Sequence, residues 1–252
     1  MRIVLQYFVL GLLSLGLFTS CGNKSHADGG TEAAAADDVT ANAKSNTTPK
    51  ADVILHVEGY GNVGLKLYDE TPKHKESFLS LVKKGFYDGQ TFHRIIRGFM
   101  LQGGDPYSKD PNKQHMLGQG GPGYRVPAEI LPGYIHSRGI LSAAREGDQI
   151  NPKRESGSQF FIVTGMPLND IILNKMEHAI DSINQSTGFK YTDDERTLYK
   201  KVGGAPWLDQ QYTVFGEVAY GMDIIAQVEK VNTTPGIDRP IEDIRFSMTI
   251  AE

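Results

Sequence analysis

An arginine set among apolar residues is the first place in this sequence where side-chain types point to chemistry. Residues 92–105 read Phe92-His93-Arg94-Ile95-Ile96-Arg97-Gly98-Phe99-Met100-Leu101-Gln102-Gly103-Gly104-Asp105. The run divides into two short β segments joined at Arg97-Gly98. Side chains alternate across a strand, so Phe92, Arg94 and Ile96 are expected on one face of the first segment, and Met100 and Gln102 on one face of the second. A guanidinium is always charged and rarely buried without a partner. Beside Phe99, Met100 and Gln102 it would edge an apolar surface carrying few polar groups, the composition of a pocket for a small apolar ligand group. On spacing alone the plainer reading is an amphipathic strand whose arginine reaches solvent. Two later stretches have the same mixed character. Ile140 to Arg145 is expected as a strand, with small Ala143 and Ala144 where a ligand could approach the backbone. Ser158 to Thr164 is expected as another, with Gln159 and Phe161 on one face and Phe160 and Ile162 on the other.

Other chemistries find little support. We expect no Ser-His-Asp, Cys-His or metal constellation, because the histidines are scattered and lack a spacing such as HExxH. Gly118 to Gly123 formally matches GxGxxG, but a dinucleotide fingerprint needs a helix after it, and Pro122 and Pro127 prevent one. The net charge of -4 over 252 residues gives no basic footprint for a nucleic-acid partner. Cys21 is the single cysteine, so no intramolecular disulfide forms and the core must carry the stability.

The elements around these residues are mostly strands. Val53, Leu55 and Val57 alternate, Gly59 to Asn62 reads as a turn, and Val63, Leu65 and Leu67 alternate again, which predicts a hairpin. Thr71-Pro72 opens a helix with Phe78, Leu81 and Val82 inward, ended by Gly85. Residues 106–138 are loop-rich. Tyr212 to Glu217 reads as a strand, Gly221 to Lys230 as a helix with Ile224, Ile225 and Val228 inward, and Arg245 to Ile250 as a closing strand able to pair with the first. Two helices far apart among hairpins suggest an antiparallel barrel with capping helices.

The run FHRIIRGFMLQGGD resembles the signature of the cyclophilins, the cyclosporin-binding peptidyl-prolyl isomerases. Gly139-Ile-Leu-Ser-Ala-Ala144, Gly157-Ser-Gln-Phe-Phe-Ile162, Trp207-Leu-Asp209 and Val214-Phe-Gly216 follow in the family's order. The resemblance covers roughly residues 51–252, less one insert. It implies a mainly β fold, a closed eight-stranded antiparallel barrel capped by two α-helices, and cis/trans isomerisation of X-Pro bonds without cofactor or metal. It also implies the site. Phe99, Met100 and Phe161, with Leu208, would hold the proline ring. Gln102, Gln159 and the backbone of Ala144 and Arg145 would fix the flanking peptide, Tyr212 would close one side, and Trp207 would contact cyclosporin. Arg94 would be catalytic, donating to the proline nitrogen as the amide twists. Arg97 stands where the family often has proline. Arg145-Glu146 replaces a common Asn-Ala, though Ala-Arg resembles bacterial members, and Tyr212 replaces a frequent histidine. The expected partners are proline-containing peptides and unfolded exported proteins. A proline-peptide-binding module with incidental catalysis is the alternative; it would need the pocket but not Arg94.

Residues 166–206 interrupt the family pattern. Ile172, Met176, Ala179, Ile180 and Ile183 predict one helix. Thr192 and Glu195 form a capping box that opens a second, with Leu198 and Val202 as its apolar side and Gly203-Gly204 as its stop. The expectation is a helical hairpin decorating the barrel and dispensable for short peptides. Residues 1–20 have a basic start and an apolar run ending in Thr19-Ser20 before Cys21. This reads as a secretory signal and resembles a bacterial lipobox, with Cys21 lipidated and the protein anchored to a membrane of the cell envelope. Phe18 departs from the usual aliphatic residue. Residues 21–50 are polar and alanine-rich, lack aromatics, and are expected as a flexible tether to a domain at 51–252.

Overall fold

The computed structural model describes residues 49–252. The signal, Cys21 and nearly all of the tether lie outside the described residues.

The first hairpin forms as its pattern dictates. Strand β1 (Val53–Val57) pairs antiparallel with β2 (Gly61–Leu67), Leu55 opposite Val63. Helix α1 (Pro72–Lys83) buries Phe78, Leu81 and Val82, and His74 besides. Pro72 suits the first turn because its missing N–H would be unpaired there anyway. Thr71 supplies no side-chain cap. The Glu129 carboxylate takes its place, accepting from Lys73 N at 3.0 Å and His74 N at 2.9 Å. The chain then forms β3 (Gln90–Thr91), β4 (Arg94–Ile96), β5 (Met100–Gly103), β6 (Ile140–Ala143) and β7 (Phe160–Val163). The insert holds α2 (Asp170–Ile183) and α3 (Asp193–Val202), and β8 (Val214–Tyr220), α4 (Met222–Val228) and β9 (Arg245–Ile250) complete the fold.

The strands make one nine-stranded antiparallel sheet in the order β3-β9-β1-β2-β8-β6-β7-β5-β4. This corrects the closed eight-stranded barrel. β9 does pair with β1, Leu55 opposite Met248, but its other side is taken by β3, Gln90 opposite Phe246. The two outermost strands, β3 and β4, are consecutive in the chain, joined through Phe92 and His93, and no ladder joins them among the described residues. The sheet is therefore curled with an open seam, spanned by the chain itself rather than by hydrogen bonds. Because β4 begins only at Arg94, Phe92 escapes the expected alternation and packs with Ile95 in the main core.

The alternation separates two apolar layers. Leu101, Leu141, Phe160 and Ile162 enter the main core with β1, β2, α1 and β9. Met100, Ile140, Phe161 and Val163 point the other way and gather Ala205, Leu208 and Val214. A third cluster, Ile135, Leu173, Ile180, Tyr191 and Tyr199, seats the insert. The capping box of Thr192 and Glu195 is present, and Gly203 follows α3 in a positive-φ conformation (φ 86°). The apolar stripes meet expectation in part: Ile180 is buried and Met176 packs on the same cluster. Ile183 and Leu198 are exposed, while Leu173 and Tyr199 are fully buried. The inward face of α3 is thus set by an aromatic residue whose hydroxyl finds a buried partner. In residues 104–139 two short 3-10 turns, at Pro106–Lys109 and Pro111–Met116, are the regular structure. The buried Asp105 carboxylate organises this loop, accepting from Tyr107 N at 2.7 Å, Gly118 N at 2.6 Å and Gly120 N at 3.2 Å.

Candidate functional site

Strand register brings the expected residues onto one face. Arg94 lies opposite Gln102, and Gln102 opposite Phe161. One step along the same face, Ile96 lies opposite Met100 and Met100 opposite Val163. Two neighbouring cross-strand rows thus present a guanidinium, an amide and a phenyl ring above an apolar second row. Phe99, at the turn between β4 and β5, packs beside this layer, as do Ala144 and Tyr212. The Phe99 ring lies 5.3 Å from Trp207, whose own side is partly exposed. Leu208 completes the floor.

The polar groups are held in fixed poses. Gln102 Nε2 donates to Gln159 Oε1 at 3.1 Å, and Gln159 Nε2 donates to Gly120 O at 2.8 Å. This fixes both amide orientations. Ala144 N donates to Gln159 O at 2.9 Å, which leaves the carbonyl as the Ala144 backbone group with which a ligand could pair. Arg94 is half exposed and touches Asp238 Oδ2 at 3.4 Å. A long contact between solvated groups is worth little, and it leaves most of the guanidinium fork available to a substrate. Asp238 also accepts the Ile95 N–H through its carbonyl at 2.8 Å, so this loop residue braces the edge strand beside Arg94.

Arg145 was expected to contribute through its backbone, and its side chain has a structural part besides. Its side chain is almost wholly buried and donates to Gln211 O at 2.9 and 3.1 Å and to Asp148 Oδ1 at 2.6 Å. The guanidinium carbon stands 4.4 Å from the centre of the Tyr212 ring. Stacked in this way it braces the tyrosine wall. Tyr212 in turn meets Phe161 edge-on at 6.0 Å.

The expectation that no Ser–His–acid arrangement exists is corrected, for two are present. Glu129 Oε2 lies 2.6 Å from His74 Nδ1, and His74 Nε2 lies 2.9 Å from Ser156 Oγ. Asp209 Oδ1 lies 2.8 Å from His136 Nδ1, and His136 Nε2 lies 3.0 Å from Ser142 Oγ. Both serines are buried. Neither can meet a substrate, so each row fastens structure rather than supplying a nucleophile. Burial holds His74 below its ordinary pKa despite the neighbouring Glu129. The second row lies under the candidate site: the His136 ring stacks on Phe161 at 6.0 Å and meets Tyr212 edge-on at 6.4 Å. Asp209 ends the Trp207-Leu-Asp209 motif and His136 lies three residues before Gly139, but nothing in their spacing revealed that they pair. Asp238, far along the chain in a loop, carried no sequence signal at all.

A single layer of apolar side chains, edged by an ordered amide pair and a half-exposed arginine, is the kind of site with the chemistry to grip a small ring and polarise what is attached to it. The match to the family model described as cyclophilin type peptidyl-prolyl cis-trans isomerase spans residues 53–249, and the chain belongs to that family. A protein of Staphylococcus saprophyticus named as a peptidyl-prolyl cis-trans isomerase is 33% identical over 202 residues, covering 79% of this chain and 91% of the relative. One from Staphylococcus aureus strain COL is 33% identical over 193 residues, covering 76% and 87%. A crystal structure of a Cryptosporidium parvum cyclophilin in the presence of the dipeptide Ala-Pro is similar with a TM-score of 0.57 at 25% identity, covering 80% of this chain and 99% of that one. The protein is a peptidyl-prolyl cis-trans isomerase.

Proposed function

We propose that isomerisation takes place on the face shared by β4, β5 and β7, with Arg94 as the transition-state donor. The observation that carries this is the row Arg94–Gln102–Phe161 beside the row Ile96–Met100–Val163. The uncatalysed barrier of about 18–20 kcal/mol arises because rotation destroys amide resonance. At the twisted state the proline nitrogen regains its lone pair. A guanidinium N–H aimed at that lone pair stabilises the twisted amide and not the planar one, which is the condition for lowering the barrier. Phe99, Met100, Phe161 and Leu208 hold the ring in both planar forms. Gln102, Gln159 and the Ala144 carbonyl hold the flanking chain while the rest rotates. No bond is made or broken.

Mapping by NMR tests the placement. Addition of an Ala-Pro peptide to isotope-labelled protein should shift the amides of Met100, Gln102, Ala144 and Phe161 and leave those of Val53, Leu55 and Val57 unmoved. Shifts confined to other residues would refute the site.

We further propose that the protein assists folding of exported chains from a lipid anchor at Cys21. The apolar run ending in Thr19-Ser20-Cys21 supports this reading. Stable anchoring needs more than one acyl chain. Intact-mass analysis of membrane-extracted protein should therefore show loss of residues 1–20 and the mass of several acyl groups. A mature chain retaining those residues would reject it.

A further inference from the structure

We propose that Tyr191 and Tyr199, supplied by the insert, are positioning residues of the isomerase site: their hydroxyls hold Asp209, and through Asp209 and His136 they set the aromatic wall of Phe161 and Tyr212. The inference rests on the reading of that face as the proline site, and it replaces the expectation of a decorative insert.

The connection is short and buried throughout. Tyr191 OH and Tyr199 OH each donate to Asp209 Oδ2 at 2.7 Å. The other carboxylate oxygen, Oδ1, accepts from His136 N at 2.7 Å and faces His136 Nδ1 at 2.8 Å. Asp209, His136 and Tyr199 are fully buried and Tyr191 nearly so. A buried carboxylate is costly unless its lone pairs are met, and here both partners of one oxygen come from the insert. Burial first, and then the charge of Asp209, push both phenols well above the ordinary tyrosine pKa, so they stay protonated and donate.

The far end of the connection is the site. With Nδ1 against Asp209 and Nε2 against Ser142, the His136 ring has one orientation, and in it the ring stacks on Phe161 and abuts Tyr212. Asp209 also follows Trp207 and Leu208 directly, so holding the carboxylate holds that turn. The backbone adds a second tie. Arg138 N donates to Gly203 O at 2.9 Å, and Ala205 N donates to His136 O at 2.8 Å. The end of α3 is thereby joined to the segment leading into β6. Decoration of a surface would need none of these contacts.

Phenylalanine replacement separates positioning from packing. The two tyrosine rings meet edge-on at 5.5 Å, and phenylalanine keeps that contact while removing both donors. In the full-length protein, Tyr191→Phe/Tyr199→Phe should raise KM for a short X-Pro peptide by about 5- to 20-fold, the scale of one or two lost buried hydrogen bonds. The value of kcat should change less than about two-fold, because the wall binds ground and transition states alike. In an Asp209→Asn background the same double replacement should raise KM no further, since the path is already cut. Should Asp209→Asn fail to fold, Tyr191→Phe and Tyr199→Phe singly should each give part of the rise. An unchanged KM in the folded double variant, with a lowered melting temperature only, would overturn the inference. So would an equal further rise in the Asp209→Asn background. Both results presuppose an active parent; an inactive parent would overturn the site reading, and this inference with it.

Discussion

Arg94 illustrates how far a single residue could be read. Its place between apolar residues marked it, but on strand spacing alone a solvent-reaching arginine was the plainer account, and its partner Asp238 lies in a loop 144 positions away. His93, its neighbour, went unmarked because nothing in its type or spacing shows burial. It is almost fully buried, and neither ring nitrogen makes a hydrogen bond to the described residues. Burial, with lesser contributions from Arg94 and Arg239 and against the opposing pull of Asp105, lowers its pKa to about 4. The unfolded chain therefore takes up a proton near the ordinary value of 6.5 while the folded protein does not. The stability from neutral His93 is complete above pH ~6.5, is lost as pH falls toward ~4, and changes no more below that. The loss should be at most ~3 kcal/mol. Urea denaturation at pH 7, 5.5 and 4.5 should show a shallower decline for His93→Leu than for the parent. Removing unpartnered polar atoms should cost little at pH 7. Parallel declines would show that His93 does not titrate as described.

Elements with a strong two-residue period were read well. β1, β2, β7 and β9 lie where alternation placed them, and the split of Phe160 and Ile162 from Phe161 follows from alternation alone. Insert helices were found, and their faces only in part: Ile180 is buried and Met176 packs beside it as spacing placed them. Ile183 looked inward by spacing, yet Leu173 and Tyr199 hold the buried positions, since tertiary partners decide which of several apolar stripes is used. The open seam was beyond sequence reasoning because β3 has two residues and no pattern to recognise. Close approach of backbones was equally hidden. At the end of β5, Gly104 has φ +90°, and a Cβ there would lie 2.3 Å from Ser158 O and 2.8 Å from Gln159 Cα. Backbone on both counts cannot swing aside as a side chain could. Gly104→Ala should cost ~2 kcal/mol or more, from the disallowed φ and the clash together. It should also displace Gln159, the partner of Gln102, and so raise KM. Chemical denaturation beside steady-state kinetics checks both; unaltered stability would contradict the packing described.

At the scale of the whole molecule, one curled sheet gives each strand two duties. Its inner side makes the main core, and its outer side, where β4, β5 and β7 run together, makes the site that the insert braces from below through Asp209. The family of the chain was readable from ordered motifs. The bracing was not, because it joins residues whose types are ordinary and whose spacing is set by the fold. The central claim is that Arg94 acts on the twisted amide rather than on binding. Exchange-rate NMR on an X-Pro peptide, with affinity measured on the same samples and a thermal melt to confirm folding, tests it most directly. Arg94→Ala should lower the catalytic efficiency by ~10²–10³, the usual scale for one lost transition-state donor, while peptide affinity changes much less. Arg94→Lys should rescue poorly, lacking the planar fork, and Phe161→Ala should weaken affinity first. A folded Arg94→Ala protein that isomerises at the parent rate would contradict the account and leave a proline-binding module in its place.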